Sequence, residues 1–164
     1  DTLGINGTRA SNHLKWHEGV WADNFRRRRP DLVVLAYGTN ESLDEDVPIG
    51  HYRAELGKVI DRMKAAAPEA SCLLVGPGDF PLKAADGAYT TRTRTLEIVA
   101  AQREEARAAG CGFFDTFAFM GGEGSMVRWV AEGLGDSDHV HFTPEGHERV
   151  GAAIADALIA GVSP

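Results

Sequence analysis

The 164-residue sequence is sparing with cysteine, methionine and tryptophan, which occur two, three and three times. Two cysteines, Cys72 and Cys111, are too few for the disulfide framework of a small secreted scaffold. Both fall beside expected core strands, where buried free thiols are expected rather than a bridge, and they leave the redox compartment open. No apolar run approaches the roughly 20 residues that a bilayer-spanning helix needs. A positive surplus is also missing: Lys and Arg number 17 against 24 Asp and Glu, a formal net charge of -7, which argues against nucleic acid as a partner. The only basic run, Arg26 to Arg29, falls where a helix is expected to end, and cations there meet the negative end of the helix dipole. No initiator Met, signal peptide or transit segment precedes Asp1-Thr2-Leu3-Gly4, so the chain is expected to begin at an internal cut. With no internal repeat, low-complexity tract or linker, residues 1–164 are expected to form one domain.

What the sequence does contain is an alternation of short apolar runs with longer stretches of helical period. Residues 32–37 (Leu-Val-Val-Leu-Ala-Tyr) form a continuous apolar run, expected as a strand buried on both faces. Residues 72–75 and 112–114 repeat the pattern. Between and around them, residues 12–29, 51–64, 92–109, 125–132 and 144–160 carry helical spacing, with Tyr52, Leu56, Val59, Ile60 and Met63 marking one face and Val150, Ile154, Ala157 and Leu158 another. On 92–109, Leu96, Val99 and Ala100 are expected to face inward. Strand, helix, strand, helix predicts a mostly parallel sheet, because parallel neighbours need a crossover, and hence a three-layer α/β/α sandwich. Ligand sites in such sheets lie outside the carboxyl ends of the strands. The loops expected there, 38–42, 76–80 and the segment after Phe114, are rich in Gly, Asn, Asp and Ser.

The densest polar stretch runs from Gly135 through Asp136-Ser137-Asp138-His139-Val140-His141-Phe142-Thr143-Pro144-Glu145. Thr143 can cap the final helix, Pro144 suits its first position, and Glu145 faces the positive end of its dipole. Asp138-x-x-His141 brings a carboxylate within reach of an imidazole, as a general base and its orienting acid require, although the same spacing occurs in solvated loops. His139 and His141 could share a metal, as could His13 and His17 on one helical face. No further cluster completes a ligand set, so no metal and no cofactor are expected. Asn40, where a strand meets a loop, could donate to a developing oxyanion or simply stabilise a turn. Gly7, in Gly4-Ile5-Asn6-Gly7-Thr8, could offer a backbone N–H at close range or form a turn of its own.

Taken together, Gly4-Ile5-Asn6-Gly7, then Tyr37-Gly38-Thr39-Asn40-Glu41 after a buried strand, then Asp138-x-x-His141-Phe142-Thr143 opening the last helix resemble the SGNH (GDSL-type) hydrolase superfamily across essentially the whole chain. Residues 120–129 resemble its peptidoglycan O-acetylesterase branch. The resemblance implies a flavodoxin-like sandwich and an esterase with a Ser-His-Asp triad. His141 would be the general base and Asp138 its orienting acid, with Gly7 and Asn40 as oxyanion donors. It also places the nucleophilic serine on a first strand upstream of the Gly7 block, a strand not expected in this sequence. Ser137, in a Gly-Asp-Ser run beside the acid and base, is not expected to be that nucleophile. The implied partner is an acetylated glycan or other small acyl ester, with an upstream segment or accessory module completing the protein, and the implied setting is the cell envelope or outside the cell. An O-acetyltransferase and a non-catalytic carbohydrate-binding module are the alternatives.

Overall fold

The computed structural model describes residues 4–161; Asp1, Thr2 and Leu3 lie outside them. In chain order the elements are a 3-10 segment (Ala10–Lys15), α1 (Glu18–Arg28), β1 (Leu32–Ala36), a 3-10 turn (Glu41–Leu43), α2 (Ile49–Ala66), β2 (Ser71–Val75), β3 (Pro81–Lys83), β4 (Tyr89–Thr91), α3 (Thr93–Ala109), β5 (Gly112–Phe114), α4 (Thr116–Met120), α5 (Ser125–Ala131) and α6 (Pro144–Gly161). The expected helix at 12–29 is thus two pieces. His17 interrupts it and caps α1, its Nδ1 accepting a long bond from the Val20 N–H at 3.4 Å. Arg29, in the left-handed region at φ 44°, stops α1 just before Pro30.

Strands β1, β2 and β5 form a parallel sheet in the order β1-β2-β5. Side chains alternate between its two faces, as the two-residue strand period requires. Val33, Leu35, Cys72, Leu74 and Phe113 join a core with α1, α2 and α3, whereas Phe114 packs with Met120, Met126, Trp129 and Val150 from α4, α5 and α6. Helices therefore cover the sheet on both sides, as the alternating pattern predicts. The expected face of α2 is buried at all five positions, and each such apolar burial contributes about 1.5–3 kcal/mol. On α3 the inward set is Ile98, Val99 and Ala101, with Leu96 only half-buried and Ala100 exposed.

Three further expectations need correction. Cys72 and Cys111 are bridged, with their Cα atoms 4.9 Å apart. The register pairs Leu73 with Gly112, so the residues preceding them on two parallel strands face each other across the ladder. Each cysteine was visible beside its strand; that the strands are neighbours was not. Next, β1 is buried on one face only, with Val34 46% exposed on the other. Among the described residues β1 pairs with β2 alone, so its second edge is open. Finally, α6 packs through Val150 and Ile154, while Leu158 and Ile159 are exposed. An antiparallel hairpin, β3 with β4, follows β2 and had no counterpart in the sequence reading.

Candidate active site

Three loops gather at the carboxyl ends of the strands. The last of them, 135–143, is closed by short-range bonds: Gly135 and Phe142 form an isolated antiparallel bridge, Asp136 N–H donates to His141 O at 2.8 Å, and Thr143 N–H donates to Leu134 O at 3.0 Å. Thr143 Oγ1 accepts from the Gly146 N–H at 3.2 Å and donates to Gly133 O at 2.7 Å, capping α6. Gly146 admits no side chain, since a Cβ there would lie 2.0 Å from the Leu134 carbonyl oxygen. The start of α6 is therefore seated directly on the strand of loop that leads to Asp138.

Within this frame Asp138 accepts three hydrogen bonds. Oδ1 takes the N–H groups of Val140 at 2.8 Å and His141 at 3.0 Å, and Oδ2 pairs with His141 Nδ1 at 2.6 Å. The bond from His141, helped by the backbone donors, holds the Asp138 carboxyl down at about 2. An ionised Asp138 fixes the imidazole as the Nδ1–H tautomer and leaves Nε2 with its lone pair. Among the described residues nothing bonds Nε2, and the His141 side chain is 75% exposed.

The loop after β1 is held differently. Gly38 has φ 124°, and a Cβ there would approach Pro77 Cδ to 2.7 Å, so both backbone and space demand glycine. Gln102 Nε2 donates to Tyr37 O at 2.8 Å, and Ser42 Oγ donates to Gly38 O at 2.9 Å. Asn40 does not cap its own turn. Its Nδ2 donates to Thr8 O at 2.9 Å, which brings Asn40 beside the Gly7 turn, where Gly7 is itself left-handed at φ 72°. Gly7 and Asn40 are thus brought together, as are Asp138 and His141.

The loop after β2 lies between these two pairs. Pro77 packs on Gly38, and a Cβ at Gly78 would fall 3.3 Å from Phe142 Cζ. Asp79, 1% exposed, accepts from Thr91 Oγ1 at 2.8 Å and from the Met126 N–H at 3.1 Å, fastening the hairpin base to α5. Neither this buried carboxylate nor the hairpin was singled out from the sequence. Hydropathy gives no warning that an acidic loop residue will be enclosed by partners 12 and 47 positions away.

The remaining candidates have other occupations. Ser137 Oγ donates to Asp136 Oδ1 at 3.1 Å. His139 is left-handed at φ 59°, bonds Ser137 O through Nδ1 at 2.9 Å, and stacks on Tyr89 of β4 with ring centroids 4.0 Å apart. His13 Nδ1 accepts from Trp21 Nε1 at 3.1 Å, so Nε2 carries the proton that it donates to Tyr37 OH at 2.8 Å. Burial and the nearby Arg62 guanidinium push the His13 pKa down. His17 serves as the α1 cap. Among the described residues no group of three or more His, Cys, Asp or Glu side chains is arranged to hold a metal.

The fold and site define a class: a parallel α/β sheet with an acid–imidazole pair and a glycine–asparagine pair at its carboxyl edge. The chain belongs to the GDSL-like lipase/acylhydrolase family, whose signature matches residues 1–149. Among solved structures it is similar to a peptidoglycan O-acetylesterase, with a TM-score of 0.89 and 29% identity over 98% of this chain and 45% of that one. It thus spans less than half the length of that protein. An acetyl xylan esterase (TM-score 0.68, 17% identity, 98% of this chain and 79% of that one) and a carbohydrate acetylesterase from Sinorhizobium meliloti (0.63, 18%, 98% and 72%) share the fold. No curated protein sequence matches the chain.

Proposed function

We propose that residues 1–164 form one domain of a serine esterase that removes acetyl groups from a carbohydrate, with peptidoglycan as the leading substrate. The observation that carries this reading is the His141–Asp138 pair: an ionised carboxylate holds Nδ1–H at 2.6 Å and leaves Nε2 free to take a proton. Membership of an acylhydrolase family and similarity to acetylesterases favour an acetyl ester. In the proposed reaction a serine Oγ attacks the ester carbonyl as its proton passes to His141 Nε2, and Asp138 stabilises the resulting imidazolium. The Gly7 N–H, the serine N–H and Asn40 Nδ2 hold the oxyanion, and its collapse expels the sugar alkoxide, protonated by His141, to leave an acetyl-serine. Water then attacks that ester, giving a proton to His141, and as the second oxyanion collapses the serine departs with that proton, leaving neutral His141 and acetic acid.

The serine in this scheme belongs to sequence upstream of Asp1, on a parallel strand seated along the open edge of β1. The edge of β1 that no strand among the described residues pairs with, and the exposed Val34 face, support that placement. The Cys72–Cys111 bridge fits an oxidising compartment such as the cell envelope.

The test uses the protein extended upstream of Asp1. A fluorophosphonate should label its serine, and nitrophenyl acetate should be turned over. His141→Ala should reduce kcat by about 10⁴-fold or more with an unchanged circular dichroism spectrum, because the side chain is solvent-facing. Retained turnover in that variant would sink the assignment. Labelling without hydrolysis, but with acetyl transfer to an added sugar, would move the protein to the transferases; absence of both would leave a carbohydrate-binding module.

A further inference from the structure

We propose that Glu41 is a positioning residue that clamps the two oxyanion-donor segments, the Gly7 turn and the Asn40 loop, into one rigid unit; this rests on the esterase reading above. Glu41 is 4% exposed, and each carboxylate oxygen accepts from a different segment: Oε1 from the Ala10 N–H at 2.8 Å, Oε2 from the Gly38 N–H at 3.0 Å. Ala10 follows Gly7 by three positions and Gly38 precedes Asn40 by two. The bond from Asn40 to Thr8 therefore joins the same two segments that the buried carboxylate holds.

The chemistry calls for a carboxylate. Two N–H donors converge on two separate oxygens, and only an acceptor-only group satisfies both. Glutamine would turn an amide NH₂ toward one of them, and aspartate is a methylene too short to reach across. Burial raises the Glu41 pKa, while three backbone N–H donors, those of Ala10, Glu41 itself and Gly38, and the Arg9 cation oppose that rise. Arg9 is held in turn by Asp44, whose two oxygens each lie 2.6 Å from its guanidinium nitrogens, so the cation stays beside the clamp. Oxyanion donors act through pre-set geometry, and about 1 Å of misplacement can cost roughly a hundredfold in rate.

Two variants of the upstream-extended protein break the bridge from opposite ends. Glu41→Gln alters the acceptor. Ala10→Pro removes one donor, at the first residue of a 3-10 segment and after an Arg9 whose φ of -104° and ψ of 157° suit the residue before proline. In Glu41→Gln, hydrogen exchange at the Ala10 and Gly38 amides should accelerate together by about tenfold or more. In both variants kcat for an acetyl ester should fall by about ten- to a hundredfold with KM changed less than about twofold. Glu41→Asp should rescue neither. The proposal is overturned if only one amide responds, if kcat holds while both amides exchange, or if KM rises alone. Should Glu41→Gln fail to fold, an unchanged kcat in Ala10→Pro overturns it equally well. If the unmutated protein hydrolyses no ester, the esterase reading fails by itself, and the paired exchange still decides whether Glu41 is a clamp.

Discussion

The two halves of the candidate site are built on opposite plans. The acid–base loop is exposed and held by partners close in sequence: Asp138 bonds Val140 and His141, and the loop is zipped by Asp136 with His141 and Leu134 with Thr143. The Asn40 loop is tucked in and held by partners far away, among them Gln102 on Tyr37, Asn40 on Thr8 and Glu41 on Ala10. A loop of the first kind can keep its geometry while its surroundings shift. One of the second kind is only as rigid as the core behind it, which gives each half its own vulnerability.

Asp138→Asn is the sharpest way to break the comparison from the local side. The amide would leave His141 in the wrong tautomer, and kcat should drop by about 10³-fold, with melting temperature little changed, because the pair is largely solvated. A large loss of stability in this variant would show that the acid–base loop depends on the fold as much as its counterpart does.

The Cys72–Cys111 bridge probes the core side, since it ties β2 to β5 across a separation of 39 residues. A loop of that size contributes about 4 kcal/mol in the chain-entropy account. Replacing both cysteines by alanine should lower the urea midpoint accordingly. The hydrogen bond between Asp138 and His141, followed by its downfield proton resonance, should survive wherever the variant remains folded.

Under the proposed oxyanion role, which acts in the transition state, Asn40→Ala should lower kcat by about a hundredfold and KM hardly at all. A dominant rise in KM would make Asn40 a ground-state contact. The smallest effect belongs to pH. The folded Asp138 carboxyl titrates at about 2, below its ordinary value, so its contribution to stability is complete above the unfolded range near 4 and fades as pH falls towards 2. Urea midpoints of the parent and Asp138→Asn should therefore converge on acidification through that window.

Much of this was legible in order along the chain. Apolar runs gave β1, β2 and β5 to within a residue or so, helical spacing gave α2 and α6, and Thr143-Pro144 announced the start of the last helix. Three positions of loop put Asp138 within reach of His141, but the spacing alone left a solvated loop open, and their roles came with the family resemblance. The hairpin β3–β4 was missed, since its strands are three residues each and half exposed, too short for period-two alternation to register.

Sequence alone indicated most of the strands and helices and put Asp138 within reach of His141, because those outcomes follow from local periodicity and short-range bonding. Tertiary structure alone decided the disulfide, the burial of Asp79 and the two-armed grip of Glu41. Each depends on which strands and loops become neighbours, and that is set by packing between residues tens of positions apart. The same packing brings Asn40 to the Gly7 turn, and only there does a turn-forming amide become a candidate for holding an oxyanion.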